Sequence, residues 1–257
     1  LLVPGFVIEQ AHGRRIRHCL GFNYALYPAM FLFTVTCVMC WLRGRRLSVV
    51  EAVLLAAANV GMYVLTRSRL SAALAVVCVV VTMLYRFRVV PTRVGRRLVA
   101  VASWAIPLVV LVTVALTALY ATLGPESFMG AVSKLLGKRV QRGYEGVRNL
   151  GVTFLGQNVE WVGNGLDYTG EGVQMAKGYN WVDSLFLHAA IQYGLVYVVG
   201  LVTLYTLVSR RAYREGDALL VVVLALMALH MAMDDLALSL HFNVLLFLVA
   251  SLGHGDG

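Results

Sequence analysis

Long unbroken apolar runs dominate this 257-residue chain and constrain its fold more than any other feature. A run of about 20 apolar residues matches the hydrocarbon core of a bilayer, where a helix satisfies all of its own backbone polar groups. Seven stretches qualify by hydropathy: about Tyr24 to Leu42, Leu47 to Leu65, the short Leu70 to Tyr85, Leu98 to Tyr120, Ser184 to Val208, Ala218 to Met233 and Leu236 to Leu252. The expected fold is an all-α membrane protein, a polytopic bundle of about seven transmembrane helices forming one domain over 1–257. Pro107, inside the fourth stretch, predicts a kink. Composition agrees: 60% of residues are hydrophobic and 14% charged, with mean hydropathy +0.76. A water-soluble domain of this length carries far more charge.

Basic residues set the orientation. Arg43, Arg45 and Arg46 form one connection, Arg86 to Arg97 a second, and Arg210, Arg211 and Arg214 a third. All three fall on one side if the spans alternate, and the positive-inside rule makes that side cytoplasmic. The segment before the first span, the Thr66–Arg69 turn, the long 121–183 loop and the Asp234–Asp235 turn then face outward from the cytoplasmic membrane. That outer side also holds Arg14, Arg17, Arg67, Arg69, Arg139 and Arg142. Arg67 and Arg69 stand at the tip of a tight helical hairpin, at the membrane boundary, where basic residues are costly and commonly functional. The plainer reading is snorkelling to outer headgroups.

The 121–183 loop contains an amphipathic stretch. Val132, Leu136, Val140, Val147, Leu150 and Phe154 recur at helical spacing, with Lys134, Lys138, Arg142 and Arg148 around the rest of the circumference. Gly137, Gly143 and Gly146 argue against a helix there, each costing about 1 kcal/mol relative to Ala. Further along, Gln157, Glu160, Trp161, Tyr179 and Asn180 mix aromatic rings with amides and a carboxylate. A sugar site needs that mixture, and so does plain interfacial anchoring by Tyr and Trp.

Other chemistries are disfavoured. The six histidines have no metal-ligand spacing, and no phosphate-binding glycine loop or dinucleotide fingerprint occurs. No metal or cofactor is expected. Cys37 and Cys40 form a CxxC inside an apolar run, and both read as small buried residues. The net charge of +9 suits anionic lipid or a phosphate-bearing substrate better than nucleic acid, because the cations lie between spans. The chain opens on Leu1 with no signal-peptide pattern, so the expectation is the later portion of a longer protein whose first spans precede it.

Five segments in order carry a family resemblance: Arg14-Arg-Ile-Arg-His-Cys-Leu-Gly-Phe22, Leu65-Thr-Arg-Ser-Arg69, Gly137-Lys-Arg139 with Gly143, Val152-Thr-Phe-Leu-Gly-Gln-Asn-Val-Glu-Trp-Val-Gly163, and Tyr179-Asn-Trp-Val-Asp-Ser-Leu-Phe-Leu187 with Tyr193-Gly194. With the large outer loop, this order resembles the C-terminal portion of the Wzy-type polymerases of exopolysaccharide, capsule and O-antigen assembly. One departure is Asp183-Ser184, where the family often has Asp-Asn. The resemblance implies a metal-independent glycosyltransferase. It would move a growing glycan from one undecaprenyl-diphosphate carrier to the next lipid-linked repeat unit, with a chain-length regulator as a partner.

In that reaction negative charge develops on the departing diphosphate, and preorganised guanidinium forks stabilise it. The resemblance therefore assigns catalysis to Arg69, Arg139 and Asp183, with Arg67 and Arg142 binding phosphate and Arg14 and Arg17 holding the second carrier. Asp183 is the preferred base for the acceptor hydroxyl, ahead of Glu160 and His188; a helix cap is its plainer reading. Three alternatives stay open: an O-antigen-type ligase with the same leaving group, a transporter or flippase of lipid-linked oligosaccharide, and a membrane sensor or scaffold.

Overall fold

The structure is a computed structural model that describes residues 9–12, 15–18, 20, 26–89, 92–161 and 180–234. It opens with a short antiparallel hairpin, β1 (Glu9–His12) and β2 (Arg15–His18), in which Gln10 pairs with Arg17. Everything else regular is helical: α1 (Tyr27–Arg43), α2 (Val49–Thr66), α3 (Arg69–Arg86), α4 (Thr92–Ala102), α5 (Ala105–Leu123), α6 (Phe128–Leu135), α7 (Arg139–Leu150), α8 (Leu185–Gln192), α9 (Gly194–Arg214) and α10 (Ala218–Met231). Among the described residues, five helical segments are long and apolar enough to cross a membrane: Tyr27–Arg46, Val49–Thr66, Arg69–Arg86, Ala105–Leu123 and Gly194–Glu215. The apolar α10 is shorter, and the stretch from Leu236 to Leu252 lies outside the described residues.

Helix α10 is the bundle's centre. Leu219 to Leu224 are buried but for Val222, and Met227, Ala228 and Met231 are also buried, so the helix has no polar face and needs none. Phe33, Cys37 and Cys40 of α1 and Ala75, Cys78 and Val79 of α3 pack in the same core. The three described cysteines are free thiols in that core. Helices α2 and α5 face outward with bare apolar surfaces, Leu54 at 63% and Leu111 at 65% exposure. A protein in water leaves few such surfaces uncovered, whereas hydrocarbon welcomes them.

A buried polar pair joins α2 to α1 inside the bundle. Asn59 of α2 donates to the Thr36 hydroxyl of α1 at 2.8 Å and to Leu55 O at 2.9 Å. Glu51, which the hydropathy pattern places inside the second span, sits in the first turn of α2. There it closes a capping box with Ser48 and pairs with Arg43 at 2.7 Å.

The three basic connections meet at one end of the bundle. Arg86 donates to Leu47 O, the Arg45 guanidinium lies over the Tyr85 ring, and Trp41 donates to Asp217 at 2.8 Å. Arg210 reaches Ser103 Oγ at 3.1 Å.

Two expected spans are broken. The fourth divides into α4 and α5 at Ser103–Trp104, leaving Pro107 in the first turn of α5. A proline ring clashes with the carbonyl four residues earlier, here Ser103, so the helix is interrupted there instead of kinking at Pro107. The fifth divides into α8 and α9 at Tyr193–Gly194. Gly194 has φ +87, and a Cβ on it would strike Gly156 N and Phe154 O. The 151–157 segment docks on this junction, with Gln157 N donating to Gln192 O at 2.9 Å and Leu195 N to Thr153 O at 3.1 Å. The amphipathic stretch likewise forms two helices, α6 and α7, separated at Gly137 and Lys138, both with positive φ.

Candidate functional site

The site assembles where α7 meets the segment leading into α8. Arg139 opens α7 and Arg142 follows one turn later. Asp183 lies two residues before α8, whose N-cap position is Ser184. Arg142 NH1 is 3.1 Å from Asp183 Oδ2, and Arg139 Nε is 3.9 Å from the same oxygen. Arg139 Nε also donates to Met233 O at 2.8 Å, just past the C-terminus of α10. A guanidinium suits that place because the helix carbonyls there are unsatisfied. Asp183 is therefore a counterion to two arginines and makes no cap to α8.

Glycines make this approach possible. A Cβ on Gly146 would strike Val182 Cγ2, and one on Gly143 would stand 2.7 Å from Leu187 Cδ1. The glycines that weaken α7 as an isolated helix let it lie directly against the chain carrying Asp183.

On one side of Arg139 is a cavity of about 370 Å³ bounded by α5, α7, α8 and α10. Leu108, Val112, Leu116, Val140, Ala225 and Leu229 give it apolar walls. It runs from Val101 and Ala102 at the end of α4 along α5 to Thr117, and its α5 part from Ala105 is about 18 Å at helical rise. The hydroxyls of Thr113 and Thr117 are turned to their own helix, donating to Val109 O and Thr113 O. Its polar features are therefore Arg139 and Ser184, whose buried Oγ has no hydrogen-bond partner among the described residues.

On the other side, Arg142, Glu145, Asn149, Asn180 and Trp181 line a recess of about 60 Å³. Arg142, Glu145 and Asn149 recur at i, i+3 and i+7, one face of α7. That spacing is the signal by which Glu145 and Asn149 were findable. Trp181 belongs with them as the aromatic wall.

The remaining loop residues serve more as framework. Gln157 Nε2 donates to Leu150 O at 2.9 Å and to Gly151 O at 3.2 Å. Glu160 is exposed, and its backbone carbonyl accepts from Asn180 Nδ2 at 3.0 Å. Trp161 stacks on His188 with ring centroids 4.1 Å apart, and Trp181 meets Trp161 edge-on at 5.9 Å. Gln192 Oε1 accepts from Trp161 Nε1 at 2.8 Å and lies 3.0 Å from His188 Nε2. An amide oxygen only accepts, so this contact is a hydrogen bond when His188 carries a proton on Nε2. Burial, partly offset by hydrogen bonds to Gln192 and the Val182 backbone, holds the His188 pKa below the usual histidine value. Trp161 and His188 cover each other's faces, which makes them a wall behind the recess.

Arg67 and Arg69 are exposed at the α2–α3 turn, where Arg67 adopts the left-handed conformation with φ +60. This turn is tied to the same end of the bundle by a buried chain. Ser68 Oγ donates to Ser71 Oγ at 3.0 Å, and Ser71 Oγ lies 3.0 Å from His230 Nε2. His230 stacks on Phe33 and is within electrostatic reach of Arg139. Arg139, Arg142 and Asp183 thus meet directly, while Arg67 and Arg69 stand on a neighbouring turn. Arg17 lies in β2; Arg14 and Tyr179 are outside the described residues. Among the described residues, no three His, Cys, Asp or Glu side chains gather as a metal site requires. Comparison of the chain with protein families, with characterised proteins and with solved structures finds no match.

Proposed function

We propose that the chain is the substrate-binding portion of a membrane polymerase that joins undecaprenyl-diphosphate-linked oligosaccharides on the extracytoplasmic side of the cytoplasmic membrane, without a metal. The five-segment family resemblance motivates this reading. One structural observation carries it: an apolar cavity running along α5 ends at Arg139, with the Asp183–Arg142 pair next and a polar recess beyond. A lipid-linked sugar has the same order, of tail, diphosphate and glycan.

In the proposed step, the acceptor hydroxyl of one unit attacks the anomeric carbon of the other. The bond from that carbon to the diphosphate oxygen breaks, and its electron pair leaves with the carrier. Arg139 and Arg142 stabilise the charge gathering on the diphosphate, and Asp183, displaced from them by the phosphate, takes the hydroxyl proton.

The test is to incubate the full-length protein with purified undecaprenyl-diphosphate-linked repeat unit and look for a ladder of products. Arg139→Ala is expected to slow ladder formation by about 10²–10³, the usual cost of one oxyanion-stabilising donor, with membrane insertion intact. Arg139→Lys also impairs it, because a point charge lacks the fork. Normal chain length in both variants sinks the assignment. Transfer to a non-repeat acceptor, with no ladder, selects the ligase reading instead.

A further inference from the structure

We infer that α4 and the arginine-rich end around it form a binding ridge for anionic phospholipid headgroups, at the opposite end of the bundle from Arg139, Arg142 and Asp183. The inference starts from length. From Thr92 to Leu123, α4 and α5 run with a single interruption at Ser103–Trp104. The 11 residues of α4 and the 19 of α5 amount to about 45 Å of helix, whereas the hydrocarbon core is about 30 Å thick. Since α5 alone is long enough to span, α4 falls at headgroup depth.

Its sequence suits that depth. On a helical wheel, α4 has three adjacent sectors. Val99 and Ala102 pack on the core. Val94, Leu98 and Val101 form an apolar stripe that is 49–61% exposed. Arg93, Arg96 and Arg97 are exposed beside that stripe and make no ion pair among the described residues. An exposed apolar stripe flanked by arginines seats a helix at the acyl–headgroup boundary, with the cations toward phosphate.

The surroundings add to the charge and remove the competition. Arg46, Arg88 and Arg214 are exposed at the same end. The carboxylates there are already engaged: Glu51 with Arg43, Glu215 with Arg211, and Asp217 with Trp41 and the Leu220 amide. Beside α4, the Arg210 guanidinium lies 4.9 Å from the centre of the half-exposed Trp104 ring, an aromatic–cation pair of the kind found at membrane interfaces. The end therefore has an excess of unmatched positive charge next to exposed apolar side chains, and a leaflet of anionic lipid supplies the complement to both.

The full chain in neutral detergent is titrated with dioleoyl-phosphatidylglycerol or dioleoyl-phosphatidylcholine, reading bound lipid by native mass spectrometry. The wild-type chain is expected to prefer phosphatidylglycerol by about tenfold to a hundredfold, since each basic residue near an anionic surface contributes about fivefold. R93Q/R96Q/R97Q loses that preference, and R93K/R96K/R97K keeps it because headgroup attraction depends on charge. The control K134Q/K138Q/R148Q removes the same charge from exposed residues of the 121–183 loop and keeps the preference. If the triple glutamine variant is not recovered, R97Q alone reads the loss at about fivefold. Equal losses in the α4 variant and the loop control, or no preference in the wild type, overturn the inference. The readout needs no polymerase activity, so it stands or falls independently of the proposed function.

Discussion

Asp183 is a counterion in the structure and the base in the proposed reaction, and a substitution can separate the two. With no anion bound it holds Arg142 at 3.1 Å and stays near Arg139 at 3.9 Å, with 22% of its side chain exposed. A diphosphate would compete with it for both guanidiniums and free its carboxylate for the acceptor hydroxyl. Asp183→Asn keeps an oxygen that accepts from Arg142 but removes the base and the competing anion. The expected result is a fall of about 10²–10⁴ in kcat with no rise in KM for the lipid-linked unit. A raised KM at unchanged kcat would make Asp183 only a positioning residue. Asp183, Arg139 and Arg142 were each legible in the sequence as residues. Their meeting was not, because a contact between positions 142 and 183 depends on tertiary packing and leaves no periodic trace. Ser184 was legible only as a departure from a motif; its hydroxyl, buried in the cavity wall and without a partner among the described residues, is a property of the packed state.

At the level of elements, glycine and proline determine where the helices stop and how closely they pack. Read locally, Gly143 and Gly146 weaken a helix. In the packed protein they allow α7 to rest on Val182 and Leu187, and that contact fixes the distance from Arg142 to Asp183. Gly146→Val is expected to destabilise the protein by about 1–3 kcal/mol, as overpacking a close contact does. Its thermal midpoint should fall, and product formation should fall with it. A variant with wild-type midpoint and wild-type ladder would show that α7 does not need this approach. The same residue types explain why helix existence was legible and helix ends were not. Hydropathy averages over about 19 residues, so it passes across the single-step breaks at Ser103–Trp104 and Tyr193–Gly194. Pro107 did mark the first break, but its steric effect falls four residues upstream. Gly194 marked the second, and its reason lies in the 151–157 segment docked against it.

Across the whole molecule, the bundle's two ends differ in chemistry. One gathers the arginines of the three short connections and α4. The other gathers Arg139, Arg142 and Asp183, the α2–α3 turn and the His230 chain. Apolar surfaces of α2 and α5 lie between them, so a bilayer crossed by these helices would leave a different set of cations on each side. In the proposed orientation, which rests on the positive-inside rule, the arginine-rich end faces the cytoplasm and the candidate site faces outside. Single cysteines test this directly. Cys37, Cys40 and Cys78 are buried and will not react, and Cys19 is replaced by Ser. Cysteines at exposed positions 67, 134 and 148 are expected to react with a membrane-impermeant maleimide on intact cells. Those at 46, 97 and 214 should react only after permeabilisation. Labelling of both sets on intact cells would break the alternation of spans. The reverse pattern would put Arg139 and Asp183 in the cytoplasm, where a polymerase of outward-facing lipid-linked glycans has no substrate, and the proposed function would fail with the orientation.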